Sequence, residues 1–275
     1  MRIDAHQHFW NYHPVRDAWI NEDMKAIRRD FSPADLQPVL TQNNIDGTVA
    51  VQADQSETET DFLLDYAAQN SFVKGVVGWV NLLSPQVEQR LVHYAQWPLV
   101  KGFRHVVQAE PQVDFLLRDD FKNGISLLHK YGFTYDILIY PQHLQYAIEL
   151  VKQFPEQPFV IDHLAKPLIK QGELQEWKKN IETIAQYPNV YCKLSGLVTE
   201  ADWQQWNYAQ LYPYIDAVVQ AFGTRRVLYG SDWPVCLVAA SYTQQLAVYQ
   251  TYFEQFSDAE KEAVFGDNAT RFYQL

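Results

Sequence analysis

At 275 residues, with 47% hydrophobic and 15% aromatic content, the chain is long enough to bury a sizeable core. Its formal net charge of -11 counts against nucleic acid or an anionic membrane surface as partner, since both attract basic patches. Two cysteines without metal-type pairing, no long apolar run in MRIDAHQHFW and no stretch near the ~20 apolar residues of a membrane span lead us to expect a cytoplasmic protein acting on a small molecule.

The first expected element is a β-strand in IDAHQHFW, Ile3 to Trp10. Side chains alternate along a strand, so Asp4, His6 and His8 are expected on one face, with successive same-face Cα atoms ~6.5–7 Å apart. Two imidazoles at that spacing can converge on one metal ion or one substrate oxygen; an idle, hydrogen-bonded pair is the alternative. Asn11 to Asp30 has no clear periodicity and reads as an extended loop. Ser32-Pro33 then resembles an N-cap with proline at the first helical position, and Leu36, Val39 and Leu40 supply the helical stripe. Further strands are expected in GTVAVQA (47–53), GVVGWVNL (75–82), VKGFRHVV (100–107), TYDILIY (134–140), FVIDHL (159–164), VYCKLSGL (190–197) and RVLYGSDWP (226–234). Helix-like segments such as ETDFLLDYAAQN and ELQEWKKNIETIAQYP separate most of them, and Ser257-x-x-Glu260 opens a last helix with a capping box.

Strands alternating with helices imply parallel pairing through right-handed crossovers. Eight such units at this length favour a single (β/α)8 TIM-type barrel over 1–275, rather than an open doubly wound sheet, for which no early GxGxxG is present. Barrel chemistry sits at the carboxyl ends of the strands. Those ends offer His6 and His8, Gln52 and Asp54, Trp79 and Asn81, Arg104 and His105, Tyr140, Asp162 and His163, Lys193 and Ser195, and finally Ser231, Asp232 and Trp233. Burying so many polar groups costs free energy unless they are paired or used. Asp232 follows the apolar run Val227-Leu228-Tyr229 and can accept a proton, coordinate a metal or cap the next helix.

HQH in the first strand, IDHLAKP in the sixth and YGSDWP in the eighth resemble the amidohydrolase superfamily. Within it, they are most similar to the lactonase branch, the L-fuconolactonase, L-rhamnonolactonase and pyrone-dicarboxylate lactonase relatives. Metal-dependent members usually add a Lys or carboxylate at strand four and a His at strand five, whereas this chain has Arg104 and Tyr140 there. Arginine cannot ligate a metal. His6, His8, His163 and Asp232 could together hold a single zinc ion, and the lactonase resemblance implies that such an ion can be present without being required.

Opening a lactone needs a base for water, stabilisation of the carbonyl oxygen and a proton for the leaving ring oxygen. Asp232 is the expected general base, returning its proton to the alkoxide, with His6, His8 and His163 polarising the carbonyl or orienting the water. Arg104 can fork onto a substrate carboxylate or diol, or form a salt bridge with a nearby acid. Tyr140 can donate to substrate or plug the barrel mouth. Trp10, Trp79 and Trp233, with Phe9, lie at strand ends and could stack on a sugar ring. Arg16, Arg28 and Arg29 are further candidates for anion binding. By alternation His105 is expected to face the helical shell, and Asp162 to face outward if His163 faces the pocket, unless the strand has already ended. Lys166 is expected on the loop, where reaching the substrate is the less favoured reading, and Cys192 in the core. A metal-dependent aryl-acid decarboxylase and a non-catalytic sugar-binding barrel are the rival functions, and a homo-oligomer is left open.

Overall fold

All eight expected strands form in the computed structural model, which describes residues 1–275: β1 (Ile3–Gln7), β2 (Gly47–Val51), β3 (Val73–Gly78), β4 (Val100–Val106), β5 (Thr134–Leu138), β6 (Phe159–Ile161), β7 (Val190–Leu194) and β8 (Val227–Tyr229). They pair in parallel in the order of the sequence, each with the next. The intervening helices are α1 (Pro33–Gln42), α2 (Glu57–Gln69), α3 (Val87–Tyr94), α4 (Asp119–Leu128), α5 (Leu144–Gln153), α6 (Gln175–Ile184), the single turn α7 (Leu197–Glu200), and α8 (Tyr208–Phe222). After β8 come α9 (Tyr242–Phe253), α10 (Asp258–Glu262) and α11 (Asn268–Tyr273). Eight parallel strands with helices between them make a (β/α)8 barrel. No helix is long and apolar enough to cross a membrane.

The barrel interior is built in two layers of different chemistry. At the amino ends of the strands, Ile3, Ala5, Val49, Val51, Val77, Val160 and Leu228 pack together, stoppered from below by Ala269, Phe272 and Tyr273 of α11. Above them the interior turns polar, with Arg104, Asp136, Asp162 and Lys193 all buried.

Two departures from simple alternation shape this upper layer. In β1, Asp4 pairs with Thr48 but Gln7 pairs with Ala50, so one extra residue is accommodated between them. Such a bulge re-aims the residues beyond it. Asp4 therefore does not share a face with His6 and His8, as alternation suggested. It lies toward the helical shell, accepting from Tyr242 Oη of α9 (3.0 Å) and from the Ser231 amide (2.8 Å). β6 in turn stops at Ile161, and His163, Leu164, Ala165 and Lys166 follow in left-handed conformation, with φ of 51°, 54°, 56° and 50°. Non-glycine residues held there cost about 1–3 kcal/mol each and persist only where their surroundings over-determine them.

Closure between β8 and β1 occurs past the end of β8, in the GSDW segment. The Asp232 amide donates to His6 O (2.8 Å) and the His8 amide donates to Trp233 O (2.7 Å). Gly230 permits this approach, since a Cβ there would lie 2.7 Å from His6 Cβ and 3.2 Å from Ser195 Cβ. Overpacking of this kind costs typically about 1–3 kcal/mol. Gly230→Ala is accordingly expected to lose stability of that order in urea denaturation, with reduced turnover because His6 is the atom group displaced.

Candidate active site

Three strands, and the residue just beyond a fourth, contribute formal charges to the closed upper layer. Lys193 Nζ of β7 lies 2.5 Å from Asp136 Oδ2 of β5 and 2.9 Å from Asp162 Oδ1 beyond β6. Arg104 Nη1 of β4 lies 3.0 Å from Asp162 Oδ2. Two acids thus face two bases, and the cluster is neutral as a unit, which is what a buried charge requires. Burial alone would raise the Asp162 carboxyl, but Lys193 and His6 beside it outweigh burial and hold it well below its ordinary value. Burial pushes Asp136 upward against the opposing field of Lys193.

On this charged floor stand the three histidines. His8 Nδ1 is 2.7 Å from the Val51 carbonyl oxygen. A carbonyl only accepts, so Nδ1 carries the proton and neutral His8 presents the Nε2 lone pair. His6 Nε2 lies 3.2 Å from His8 Nε2, and His6 Nδ1 accepts from Lys193 Nζ at 3.0 Å. His163 Nδ1 is 2.9 Å from Ser195 Oγ, and the next residue, Gly196, has φ +67° and room for no Cβ, which would sit 2.8 Å from His163 Nδ1. Burial is the main cause that lowers all three imidazoles, His163 to about 4 and His6 well below its usual value, with Lys193 adding to the effect on His6. All three are neutral at pH 7.

Asp232 closes the set. Its Oδ1 lies 3.5 Å from His8 Nε2, 3.8 Å from His163 Nε2 and 4.0 Å from His6 Nε2. The residue is held at φ +57°, in the left-handed region that aspartate and asparagine tolerate better than most. Burial would raise its carboxyl, but the facing His163 and His8 prevail and keep it below the ordinary aspartate value. It is ionised at neutral pH.

Above this group opens a cavity of about 460 Å³, whose walls include His8, Arg104, His163 and Asp232 together with Trp10, Tyr140, Lys166, Glu200 and Trp203. Trp19 and Met24 of the Asn11–Asp30 segment complete the rim. That segment is not wholly irregular: it contains a 3-10 helix at Glu22–Ile27, and its two ends are clasped by reciprocal amide bonds between Trp10 and Phe31.

The structure relocates several residues singled out in the sequence. His6 is fully buried beneath the cavity and is not among its lining residues. Trp79 and Trp233 do not line the cavity either: Trp79 points its indole N–H toward His105 Nδ1 (3.4 Å), and Trp233 packs on Phe9 and Phe31. Trp233 faces outward because its neighbour Asp232 faces in. Arg104 reaches the cavity, but its fork is engaged by Asp162 and by Gln52, so the salt-bridge alternative describes it. Arg16, Arg28 and Arg29 are taken up by Asp17, Glu22 and Asp35 and do not line it. Asp162 faces inward because Val160, two residues earlier on the same face, already packs in the barrel interior; it is His163 that departs from alternation, brought into the pocket by its left-handed backbone. Lys166 also turns in, 3.7 Å from Glu200, whose carboxyl is raised chiefly by burial and only partly opposed by Lys166. His105 lies in the helical layer, stacked on Phe115 and paired with Glu110, and Cys192 is core, both as expected. The sequence contained Lys193 among its strand-end residues, but nothing local marked Asp136 as its partner.

The donor geometry can be tested against a metal ion. His6 Nε2, His8 Nε2 and Asp232 Oδ1 lie within 4.8 Å of one another. Tetrahedral zinc with bonds of about 2.0–2.1 Å sets its ligands roughly 3.3–3.4 Å apart, so these residues fit one ion after small adjustments and once the His6 proton moves from Nε2 to Nδ1, where Asp162 Oδ1 at 3.3 Å can accept it. Lys193, tied to two carboxylates and His6, is not free to bridge a second.

Three histidines and an aspartate gathered at the carboxyl mouth of such a barrel define an amidohydrolase-type centre. The amidohydrolase family model matches residues 3–275, and the chain belongs to that family. It is 36% identical over 286 residues to an L-fucono-1,5-lactonase of Burkholderia multivorans, covering 100% of this chain and 96% of that protein. An L-fucono-1,5-lactonase of Burkholderia ambifaria is also 36% identical, over 278 residues, with the same coverage of 100% and 96%. A crystal structure of a Burkholderia multivorans amidohydrolase with bound zinc superposes with a TM-score of 0.97 at 35% identity, covering 100% of this chain and 99% of that one.

Proposed function

We propose that this protein is a lactonase that opens a sugar-derived lactone, an aldonolactone such as L-fuconolactone, to the sugar acid, with Asp232 as general acid and base. The observation that carries this function is the ionised Asp232 carboxylate at a cavity floor beside three neutral imidazoles. The full-length likeness to two L-fucono-1,5-lactonases supports the substrate class.

In the proposed reaction, water enters between Asp232 and the lactone carbonyl. Asp232 takes one proton as the oxygen attacks the carbonyl carbon, and the developing oxyanion is met by the imidazoles and the fixed positive edge of Arg104. Collapse of the tetrahedral intermediate breaks the carbon–ring oxygen bond, and Asp232 returns its proton to the departing alkoxide. Atoms balance with water as the only co-reactant. Trp10, Tyr140 and Trp203 offer ring faces to the sugar, while Lys166 and Glu200 offer polar contacts to its hydroxyls. A zinc ion held by His6, His8 and Asp232, with His163 nearby, would supply further polarisation of the carbonyl or water. We do not make it a requirement for turnover. The two free, buried cysteines suit a reducing cytoplasm.

The test is proton release on mixing the protein with L-fucono-, L-galactono-, L-rhamnono- and D-arabinono-lactones, with and without chelator. One lactone is expected to be hydrolysed rapidly and to remain so after chelation. Loss on chelation, restored by zinc, would make the ion essential. If no lactone is opened above background, the function is wrong, and carbon dioxide release from aromatic acids becomes the next assay.

A pH profile follows from the same groups. His163 is neutral above about pH 4, and Asp232 is ionised above a pKa that lies below the ordinary aspartate value. Neither changes charge between about pH 5 and about pH 7, so these two groups leave kcat/KM unchanged across that window. A loss on acidification there is expected to follow Asp136, whose carboxyl burial raises to about 6. An acid limb near the ordinary histidine value of ~6.5 that persists in Asp136→Asn would contradict the buried, neutral imidazoles.

A further inference from the structure

We infer that Tyr273, on α11 beneath the opposite end of the barrel from the cavity, is a positioning residue for the catalytic histidine cluster. The connection is a continuous run of buried polar contacts. Tyr273 Oη donates to Asp136 Oδ2 at 2.8 Å, and the same oxygen lies 2.5 Å from Lys193 Nζ. Lys193 Nζ in turn donates to His6 Nδ1 at 3.0 Å and lies 2.9 Å from Asp162 Oδ1. Tyr273, Asp136, Lys193 and His6 are all buried, so bulk water does not substitute for a missing member.

The decisive detail is the other oxygen of Asp136. Oδ1 is buried without a hydrogen-bond partner, so Oδ2 alone, with its two donors, fixes the carboxylate. Removing the tyrosine hydroxyl leaves a single anchor, about which the carboxylate can turn. Lys193, shared between Asp136, Asp162 and His6, then settles toward the remaining partners, and the His6 ring moves with it. Displacements well under 1 Å matter at a reacting centre, where a misplacement of about 1 Å costs on the order of 100-fold. α11 is itself anchored where this requires, since Asn268 Nδ2 donates to Thr224 O (2.8 Å) and Val227 O (2.7 Å), at the start of β8.

Tyr273→Phe keeps the ring and deletes the hydroxyl. Its kcat is expected to fall about tenfold with KM within about twofold of wild type. Asp136→Asn is expected to do the same, and the double variant to fall no further than either single, as for residues in one network. Phe272→Leu, which loosens the same barrel floor, serves as the packing control and should lower thermal stability while leaving kcat unchanged. The kinetic half of this inference rests on the lactonase function proposed above. A second readout does not: in a carbon–proton spectrum of the protein with 13C-labelled histidine, the His6 Cε1 signal should move in Tyr273→Phe and stay in Phe272→Leu. A His6 signal that superposes on wild type in Tyr273→Phe overturns the inference whatever the rate, as does an unchanged kcat, or an equal loss of kcat in Phe272→Leu. If wild type opens no lactone, the proposed function falls and the histidine spectrum alone decides the network.

Discussion

Asp232→Asn is expected to lower kcat on the best lactone by about 10²–10⁴-fold, the range contributed by a positioned acid–base group. Asparagine retains the size of the side chain and tolerates the left-handed backbone that residue 232 adopts, at φ +57°. The amide bond from residue 232 to His6 O, which closes the barrel, involves only backbone. What asparagine lacks is the capacity to take a proton from water and return it to the alkoxide. KM should change little, since the aromatic walls and Arg104 remain. Stability at neutral pH should be unchanged or slightly lower, because, against burial, His163, His8 and Lys166 hold the carboxylate below its ordinary value and it so contributes to the fold when ionised. Proton release and a thermal melt, run on one preparation, check both halves. A variant within about tenfold of wild type would move the proton transfer to another residue.

Lys193→Met is expected to have the largest effect on folding, a loss of about 3–5 kcal/mol, as for other buried ion clusters that lose one member. Asp136 would then face Asp162 with only Arg104 for compensation, and Arg104 touches Asp162 alone of the two. The pH dependence gives the mechanism its signature. In the wild type, Asp162 sits well below its unfolded value, so its contribution is present above that value and is lost as pH falls through the folded one. Without the lysine, burial raises Asp136 further above its unfolded value, and Asp162 loses the largest of the charges that hold it down. A raised acid favours the fold below the unfolded pKa and loses that contribution as pH rises through the folded pKa. The deficit against wild type should therefore be larger at pH 8 than at pH 5. Urea denaturation at the two pH values measures it, and Lys193→Met with Asp136→Asn should recover part of the loss at pH 8. A deficit below about 1 kcal/mol, or one that grows on acidification, would show that the cluster is not held by this lysine.

Much of the architecture was legible along the chain because it is written in local patterns. Alternation of apolar strand runs with helical stripes marked eight βα units, and the structure has all eight. His6, His8, His163 and Asp232 were recognisable because HQH, IDHLAKP and YGSDWP each place a polar group just where an apolar strand ends. Strand ends were drawn too long, to 164 and 234 where the structure stops at Ile161 and Tyr229, since the side-chain types remain strand-like after the backbone has left the extended form.

By itself, then, the sequence determined the barrel and named four residues, His6, His8, His163 and Asp232, that the structure brings together at the carboxyl ends of the strands. Only the tertiary structure decided which way the neighbours of those residues point. The period of two holds only while the chain stays extended and in register. Alternation from the interior residues Ile3 and Val160 puts Asp4 outward and Asp162 inward, while the bulge in β1 and the left-handed run after β6 bring His6, His163 and Lys166 to the site. Trp79 and Trp233 pack into the shell, Trp79 toward His105 and Trp233 on Phe9 and Phe31. The Asp136–Lys193 pair joins residues 57 positions apart, so neither residue's surroundings announce the other. A buried charge is stable only beside its partner, and that partner is chosen by strand order and register, which emerge when the barrel closes.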